Sequence, residues 1–433
     1  ACLVGVGLYF LARSAELLAF SPQLVLIASA LVFPLAPRRI RSNKYLALSA
    51  SLAILASMAL VVLMLVGDVF ARGPFRLLGA PSLTIAGGSL KIDAFALVFD
   101  LIFLGAGLLV AIASWSPEIQ RTTYQGVYFM LLLLTLVGAS IVASAASLIT
   151  IFVGLELAGI STYAMVAFVK TNKLASEAAM KYYLIGSTST ALVLFGLSYL
   201  YGVTGSLDIE TISVRLAAVS PSDGGVVVAI AFLVAGFGFK MAAVPFHLWA
   251  PDTYEGAPSP VSALLAAGTK KMGFAAAFKV IVVGMVAARA EWSVLFGLLA
   301  ILTMTIGNTA ALRQTSFKRL LAYSSIAQAG YILVALSIAG AGGRAGETAV
   351  AAGIFHSMTH MVMKSGAFIL VGLFVALQVG EDIDDLRGLR TRAPFTTFAL
   401  IILMLSLVGF PLLVGLYPEP FFVLSQAAAQ ALF

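Results

Sequence analysis

Glu156, Lys240 and Lys270 sit inside apolar runs long enough to cross a lipid bilayer, and His247 follows Lys240 by seven positions. A lysine at that depth costs roughly 2.5–3.5 kcal/mol on insertion scales, so water, an ion or a partner charge must make it tolerable. The chemistry open to such groups is the holding and passing of charge. Burial disfavours a lysine's charged form and a nearby carboxylate favours it, while histidine exchanges protons near neutral pH. Pro245 lies between Lys240 and His247. A proline removes a backbone hydrogen bond and clashes with the preceding turn, so the helix is expected to kink or break there. His247, two helical turns past Lys240, is expected on a similar face. Carbonyls freed inside a membrane survive only where protein or water satisfies them, which predicts a hydrated pocket.

A second group lies in 353–368, GIFHSMTHMVMKSGAF, where His356, His360 and Lys364 are spaced i, i+4, i+8 on one helix face. An i, i+4 histidine pair can bind zinc, but no carboxylate or cysteine accompanies it locally and the lysine would repel a metal. A row of groups titrating at different pH fits a proton path better.

Plainer readings compete. Lys181 follows Glu177 by four residues near a span end, as a paired surface lysine would. Snorkelling toward the membrane surface is an alternative for Lys271 and Lys279, and Lys318 and Arg319 are expected to act as anchors at the cytoplasmic surface. Asp93 and Asp100 sit at and just inside a span start, where an acid complements the helix dipole. For Glu156, Lys240 and Lys270 the bland alternative is a static buried charge pair.

These residues must be held by helices in a bilayer. Of 433 residues, 61% are hydrophobic and 10% charged, too little charge to cover the surface of a water-soluble protein of this size. Spans are expected at 22–36, 45–66, 94–114, 125–145, 148–168, 178–203, 226–248, 259–287, 293–311, 319–339, 349–378 and from near 395. Residues 1–20 read as a short first span rather than a signal peptide, because Arg13 and Glu16 interrupt the run and no basic stretch precedes it. The fold class is all-α and polytopic, with about 12–13 transmembrane helices.

Alternating the spans puts thirteen basic residues on one side, in loops such as 38–44 and 381–392, and six on the other. The positive-inside rule makes the first side cytoplasmic. The net charge of +7 comes from these short loops, which argues against nucleic-acid binding. Segment 68–92, with Gly73-Pro74, Pro81 and Gly87-Gly88, is expected to form a small extracytoplasmic hairpin. The single cysteine, Cys2, excludes an intrachain disulfide and any cysteine-held metal or iron–sulfur site. Gly236-Phe237-Gly238 lies within a transmembrane pattern rather than after a strand, so it is no dinucleotide motif.

Five strings carry a family resemblance: LELAGISTYA at 155–164, EAAMKYYLIGS at 177–187, AVPFHLWAPDTYEGAPSPV at 243–261, NTAALRQTSFKRLLAYSSIAQAGY at 308–331 and IDDLRGL at 383–389. Together the chain resembles the antiporter-like membrane subunits of respiratory complex I, most closely subunit N of proton-translocating NADH–quinone oxidoreductase. The resemblance implies two inverted five-helix bundles with broken helices, here at 115–287 and 288–433 behind N-terminal helices at 1–114. It implies that Glu156 pairs with the pumping lysine, Lys240, on the first broken helix. Lys181, His247 and Lys270 resemble further members of the hydrated relay, Lys270 being central, and Lys271 has no counterpart. It also implies an integral protein of a prokaryotic inner (plasma) membrane, with other antiporter-like membrane subunits as partners. NADH or another donor, flavin, iron–sulfur clusters and quinone are then expected in partner subunits, with no cofactor in this chain.

Three departures stand out. The His356, His360 and Lys364 face resembles subunits L and M or the cation/proton antiporter subunits, which keeps an antiporter or a membrane-bound hydrogenase-type complex as the alternative. Segment 405–422, LSLVGFPLLVGLYPEPFF, starts like the second broken helix but then resembles the family's C-terminal end. The second bundle is therefore expected to be incomplete, and no lysine follows Lys364. Its absence also admits a scaffold that has lost transport. Gln23 stands where the family commonly carries Glu and is assigned no role.

Overall fold

The computed structural model describes residues 16–35, 43–69, 83–120, 122, 124–408 and 419–432. The reading of residues 1–20 as a span therefore lies largely outside the described residues, as do 409–418, where the second broken helix was expected. Among the described residues the chain is almost wholly helical, because a helix satisfies its own backbone where no water can.

In order come α1 (Ser21–Val32), α2 (Asn43–Val69), a hairpin of β1 (Leu83–Ile85) and β2 (Leu90–Ile92), then α3 (Ala94–Ala113), α4 (Gln125–Ser144), α5 (Leu148–Val166), α6 (Lys173–Thr204) and the short α7 (Ile209–Leu216). There follow α8 (Gly224–Met241), α9 (Trp249–Gly256), α10, α11 (Arg289–Ala311), α12 (Phe317–Ala339), α13 (Gly343–Ala376), α14 (Pro394–Val408) and α15 (Glu419–Gln430). Here α10 is a rod of four consecutive pieces, Ser259–Leu264, Leu265–Thr269, Lys270–Ala277 and Phe278–Gly284, the second and fourth wound with wide i→i+5 turns. Nine helices among the described residues are long and apolar enough to cross a membrane, and α1 and α14 are shorter apolar helices. Every span expected from residue 22 onward coincides with a helix, except that 226–248 ends early, at Met241.

Of the hairpin expected over 68–92, residues 70–82 lie outside the described residues; 83–92 forms a hairpin turned through Gly87 and Gly88, both at positive φ that suits glycine. It joins the end of the molecule where Leu90 pairs with Ala145, Ser147 with Asp208, and Lys91 with Glu210 at 2.7 Å. The opposite end carries Lys181, Asp252, Arg319 and the 381–392 loop, and is called the basic end below.

α4 packs on α5, α5 on α6, and α6 on α8; α11 packs on α12, α12 on α13, and α13 on α14. Counting α8 with α9 as one crossing, five crossings lead from the start of α4 to the end of α10. The second set therefore starts from the opposite end, which makes the two sets inverted. Rod α10 runs between them, touching α3, α4, α8 and α13. Small residues permit such close approach: a Cβ on Gly154 would stand 2.8 Å from the Gly138 carbonyl across α4 and α5.

Candidate functional site

Lys240 occupies the last turn of α8 and is 6% exposed. The helix ends at Met241, four residues before Pro245, and Ala242 after it takes a left-handed conformation (φ 54°, ψ 42°). Pro245 and His247 therefore lie in the turn that links α8 to α9. The break is where the sequence placed it to within a turn, but the expected facing of Lys240 and His247 along one helix is corrected: no helix runs between them. Protein groups meet part of the opened backbone. Trp249 Nε1 donates to the Phe239 carbonyl at 3.0 Å, and the Val244 N–H donates to Thr303 Oγ1 at 3.0 Å. Thr303 belongs to α11, so the second helix set completes the break in the first.

Around Lys240 is a small cavity bounded by Gly159, Thr162, Tyr182, Trp249 and Thr269, with about 10 Å³ open to a water's centre, room for about one molecule. The ammonium lies 5.9 Å from the ring centre of Tyr163. Two glycines leave it space. A Cβ on Gly159 would stand 3.4 Å from Nζ, and one on Gly273 would stand 2.9 Å from the Lys240 Cβ. Glu156, half-buried on α5, is near enough for its charge to act on Lys240, but the two form no ion pair within 4 Å. Its carboxylate instead accepts a 2.7 Å hydrogen bond from Thr190 Oγ1 of α6.

The rod carries Lys270 and Lys271, both buried. Lys270 Nζ donates to Ser325 Oγ at 2.9 Å and to the Ser325 carbonyl at 3.1 Å, and lies 5.6 Å from the ring centre of Tyr254. His247 is buried within electrostatic reach of Lys270, its ring 6.5 Å from that of Tyr323 and its Nδ1 without a protein partner. Lys271 points to the second set, where Nζ hydrogen-bonds His360 Nδ1 and donates to the Ala266 carbonyl at 2.7 Å. The snorkelling alternative for Lys271 is overturned, because the residue is wholly buried. Lys364, equally buried, donates to the Leu321 carbonyl at 3.0 Å. The His356 and His360 ring centres are 6.0 Å apart. Among the described residues, no carboxylate forms an ion pair with Lys270, Lys271, Lys364, His356 or His360.

Lys181 stands apart from this row. It is 44% exposed at the basic end and pairs with Glu177 and Asp252, each at 2.8 Å. Asp252 also meets Arg319 at 2.8 Å, and Arg319 meets Glu255 at 2.9 Å. Partial burial alone would raise the Asp252 carboxyl, but the hydrogen bonds from Lys181 and Arg319 prevail and hold it below the ordinary carboxylate range. The anchor reading of Lys318 and Arg319 gives way to pairing within the protein: Lys318, 4% exposed, meets Glu381 at 2.8 Å.

Three residues were undervalued by the sequence. Asp93 caps α3 as expected, accepting from Ala96 N at 2.8 Å. Asp100, in contrast, lies two turns inside that helix, 2% exposed, and accepts from Gln23 Nε2 at 3.1 Å, so the helix-dipole reading fails for it. Gln23, given no role, also donates to Ser140 Oγ at 2.5 Å. Lys279 does not snorkel; it is 4% exposed and donates to the Ala145 carbonyl at 3.0 Å. Its signal was available as a third lysine on a span already carrying Lys270 and Lys271.

Comparison with known proteins gives this geometry a setting. A family profile described as "NADH:quinone oxidoreductase/Mrp antiporter, TM" matches residues 145–432. The chain is 41% identical over 428 residues to "F(420)H(2) dehydrogenase subunit N" of Methanosarcina mazei, covering 96% of this chain and 83% of that protein. It is 40% identical over 333 residues to "NADH-quinone oxidoreductase subunit N 2" of Solibacter usitatus, covering 77% of this chain and 66% of that protein, just under two thirds. Among solved structures, an archaeal membrane-bound sulfane sulfur reductase contains a chain that matches 97% of this one with a TM-score of 0.77, at 26% identity and over 86% of its own length.

Proposed function

From its membership of the NADH:quinone oxidoreductase/Mrp antiporter transmembrane family, to which this chain belongs, we propose that the chain is the proton-translocating membrane subunit of a complex I-type donor–quinone oxidoreductase, an assembly it serves without holding a redox centre. The observation that carries the reading is the row of buried basic groups, Lys240, His247, Lys270, His360 and Lys364, contributed by α8, the α8–α9 turn, the rod and α13. Charges placed at that depth are tolerated where they serve transport.

The groups form a coupled set, so a proton belongs to the row rather than to one residue. Glu156 close to Lys240 favours the loaded ammonium; Glu156 drawn away favours release toward His247 and Lys270. The hydrogen bond from Thr190 to Glu156 would have to loosen for the carboxylate to close on Lys240. Lys181 fits the relay less directly, as the basic-end ion cluster through which α9 is tied to α6 and α12.

Electron transfer belongs to partner subunits, which are proposed to carry the donor site, flavin, iron–sulfur clusters and quinone. The relative in a F(420)H(2) dehydrogenase is matched over more of its length than the NADH–quinone relative. This supports a donor other than NADH as readily as NADH itself. The basic end is read as cytoplasmic, in the inner membrane of a prokaryote.

A second reading, a cation/proton antiporter or hydrogenase-type subunit, draws support from the buried His356–His360–Lys364 face and from the family description, which joins the Mrp antiporter to NADH:quinone oxidoreductase. Proteoliposomes holding the intact assembly separate the two. Quinone reduction should generate a pH gradient that a protonophore collapses and that sodium does not alter. Sodium-dependent exchange without quinone reduction would establish the second reading instead.

A further inference from the structure

Lys271 has no part in the row described above, yet it is fully buried and bonds a histidine. We propose that Lys271 hands the proton from the rod to His360, and that His360 and His356 carry it toward the end opposite the basic loops; this rests on the proton-translocating reading.

Lys271 Nζ has two partners, the Ala266 carbonyl and His360 Nδ1. A backbone carbonyl only accepts, so the imidazole is the partner that can take the proton away. Accepting at Nδ1 leaves the neutral ring's hydrogen on Nε2, and His360 Nε2 has no hydrogen-bond partner among the described protein atoms. Transfer then balances: the ammonium loses one proton at Nζ, His360 gains it at Nδ1, and the imidazolium releases the other at Nε2. His356 is the next acceptor on the same helix, its Nε2 likewise without a protein partner. The two ring centres are 6.0 Å apart, and a water as carrier would complete the transfer between the imidazoles. Around them stand Lys270 and Lys364 as the other basic groups and Tyr331 of α12, whose ring centre is 5.7 Å from that of His356.

Direction follows from the helix. α13 starts at the end opposite the basic loops, with Gly343, and runs toward the basic end at Ala376. His356 lies one turn from His360 toward the start, and Lys364 one turn the other way. A proton delivered to His360 therefore has an onward acceptor away from the basic end that requires no lysine after Lys364.

The test uses the intact assembly in proteoliposomes, with Lys271→Met, Lys271→Arg and, in parallel, Lys240→Ala. Both Lys271 variants are expected to lower the proton-to-electron ratio at least twofold while quinone reduction continues. Arginine should fail as methionine does, because a guanidinium keeps the charge but not the ability to release a proton. Since the chain has three histidines, nitrogen-15 NMR of histidine-labelled protein reads His360 directly. Its Nδ1 should report an accepted hydrogen bond that Lys271→Met removes. A wild-type ratio in Lys271→Arg, or a His360 signal unmoved by Lys271→Met, overturns the handover. If Lys240→Ala stops pumping while the Lys271 variants pump normally, only the handover fails; if Lys240→Ala also pumps normally, the broader reading fails.

Discussion

Glu156 and Lys240 act on each other through space without touching, because Thr190 Oγ1 takes the carboxylate at 2.7 Å and the ammonium rests 5.9 Å from the ring centre of Tyr163. The threonine thus competes with the lysine for one carboxylate. A hydrogen bond to a charged group contributes about 1.5–3 kcal/mol, enough to set which arrangement prevails.

Thr190→Val removes that competitor and keeps the side chain's shape. The expected outcome is an assembled complex whose pumping turnover falls by about tenfold, since Glu156 then stays with Lys240 and the proton is held. Turnover equal to wild type, measured as quinone-coupled acidification, would mean Thr190 has no part in the cycle.

Gly273 of the rod lets α8 lie against it at Lys240. An alanine there puts a Cβ 2.9 Å from the Lys240 Cβ and 3.1 Å from its carbonyl carbon, so backbone must move. Overpacking of this kind costs about 1–3 kcal/mol. Gly273→Ala is expected to lower the melting temperature and impair pumping, whereas Gly202→Ala, with nothing within 4 Å, should leave both unchanged. Equal behaviour of the two variants would show that contact between the rod and α8 is not critical.

The basic-end cluster predicts a pH dependence. Asp252 is held below the ordinary carboxylate range, so it contributes stability above the unfolded value near 3.9 and loses it as the pH falls through its lower folded value. Its partners are partly exposed, which limits each pair to about 1 kcal/mol or less. Asp252→Asn should melt about 1–2 °C below wild type from pH 5 to 7, with the gap closing below about pH 4. A gap that persists undiminished at pH 2 would assign it to something other than this carboxylate.

Much of this fold was legible because a bilayer forces apolar runs into helices, so each run from residue 22 onward marked one. The broken helix was legible from Pro245, but its end at Met241 was not: Ala242 caps the helix in a left-handed turn, and an alanine carries no signal for that conformation. Burial of Lys240 and Lys270 followed from their depth. Lys271 and Lys279 share that depth, yet the sequence leaves snorkelling open for them, because spacing cannot tell which helix will cover a side chain. Lys181 showed the converse, since a pair four residues apart describes its Glu177 contact and says nothing of Asp252, 71 positions on. Asp100 and Gln23 depend on α1 packing against α4 near α3, a contact no local pattern encodes.

The central claim is that Lys240 is a proton-holding group of the transport cycle. The direct measurement is the proton-to-electron ratio of the intact assembly carrying Lys240→Ala, reconstituted in sealed proteoliposomes, with subunit content verified. The account predicts that pumping is abolished or sharply reduced. Full proton pumping by a correctly assembled Lys240→Ala complex would contradict it.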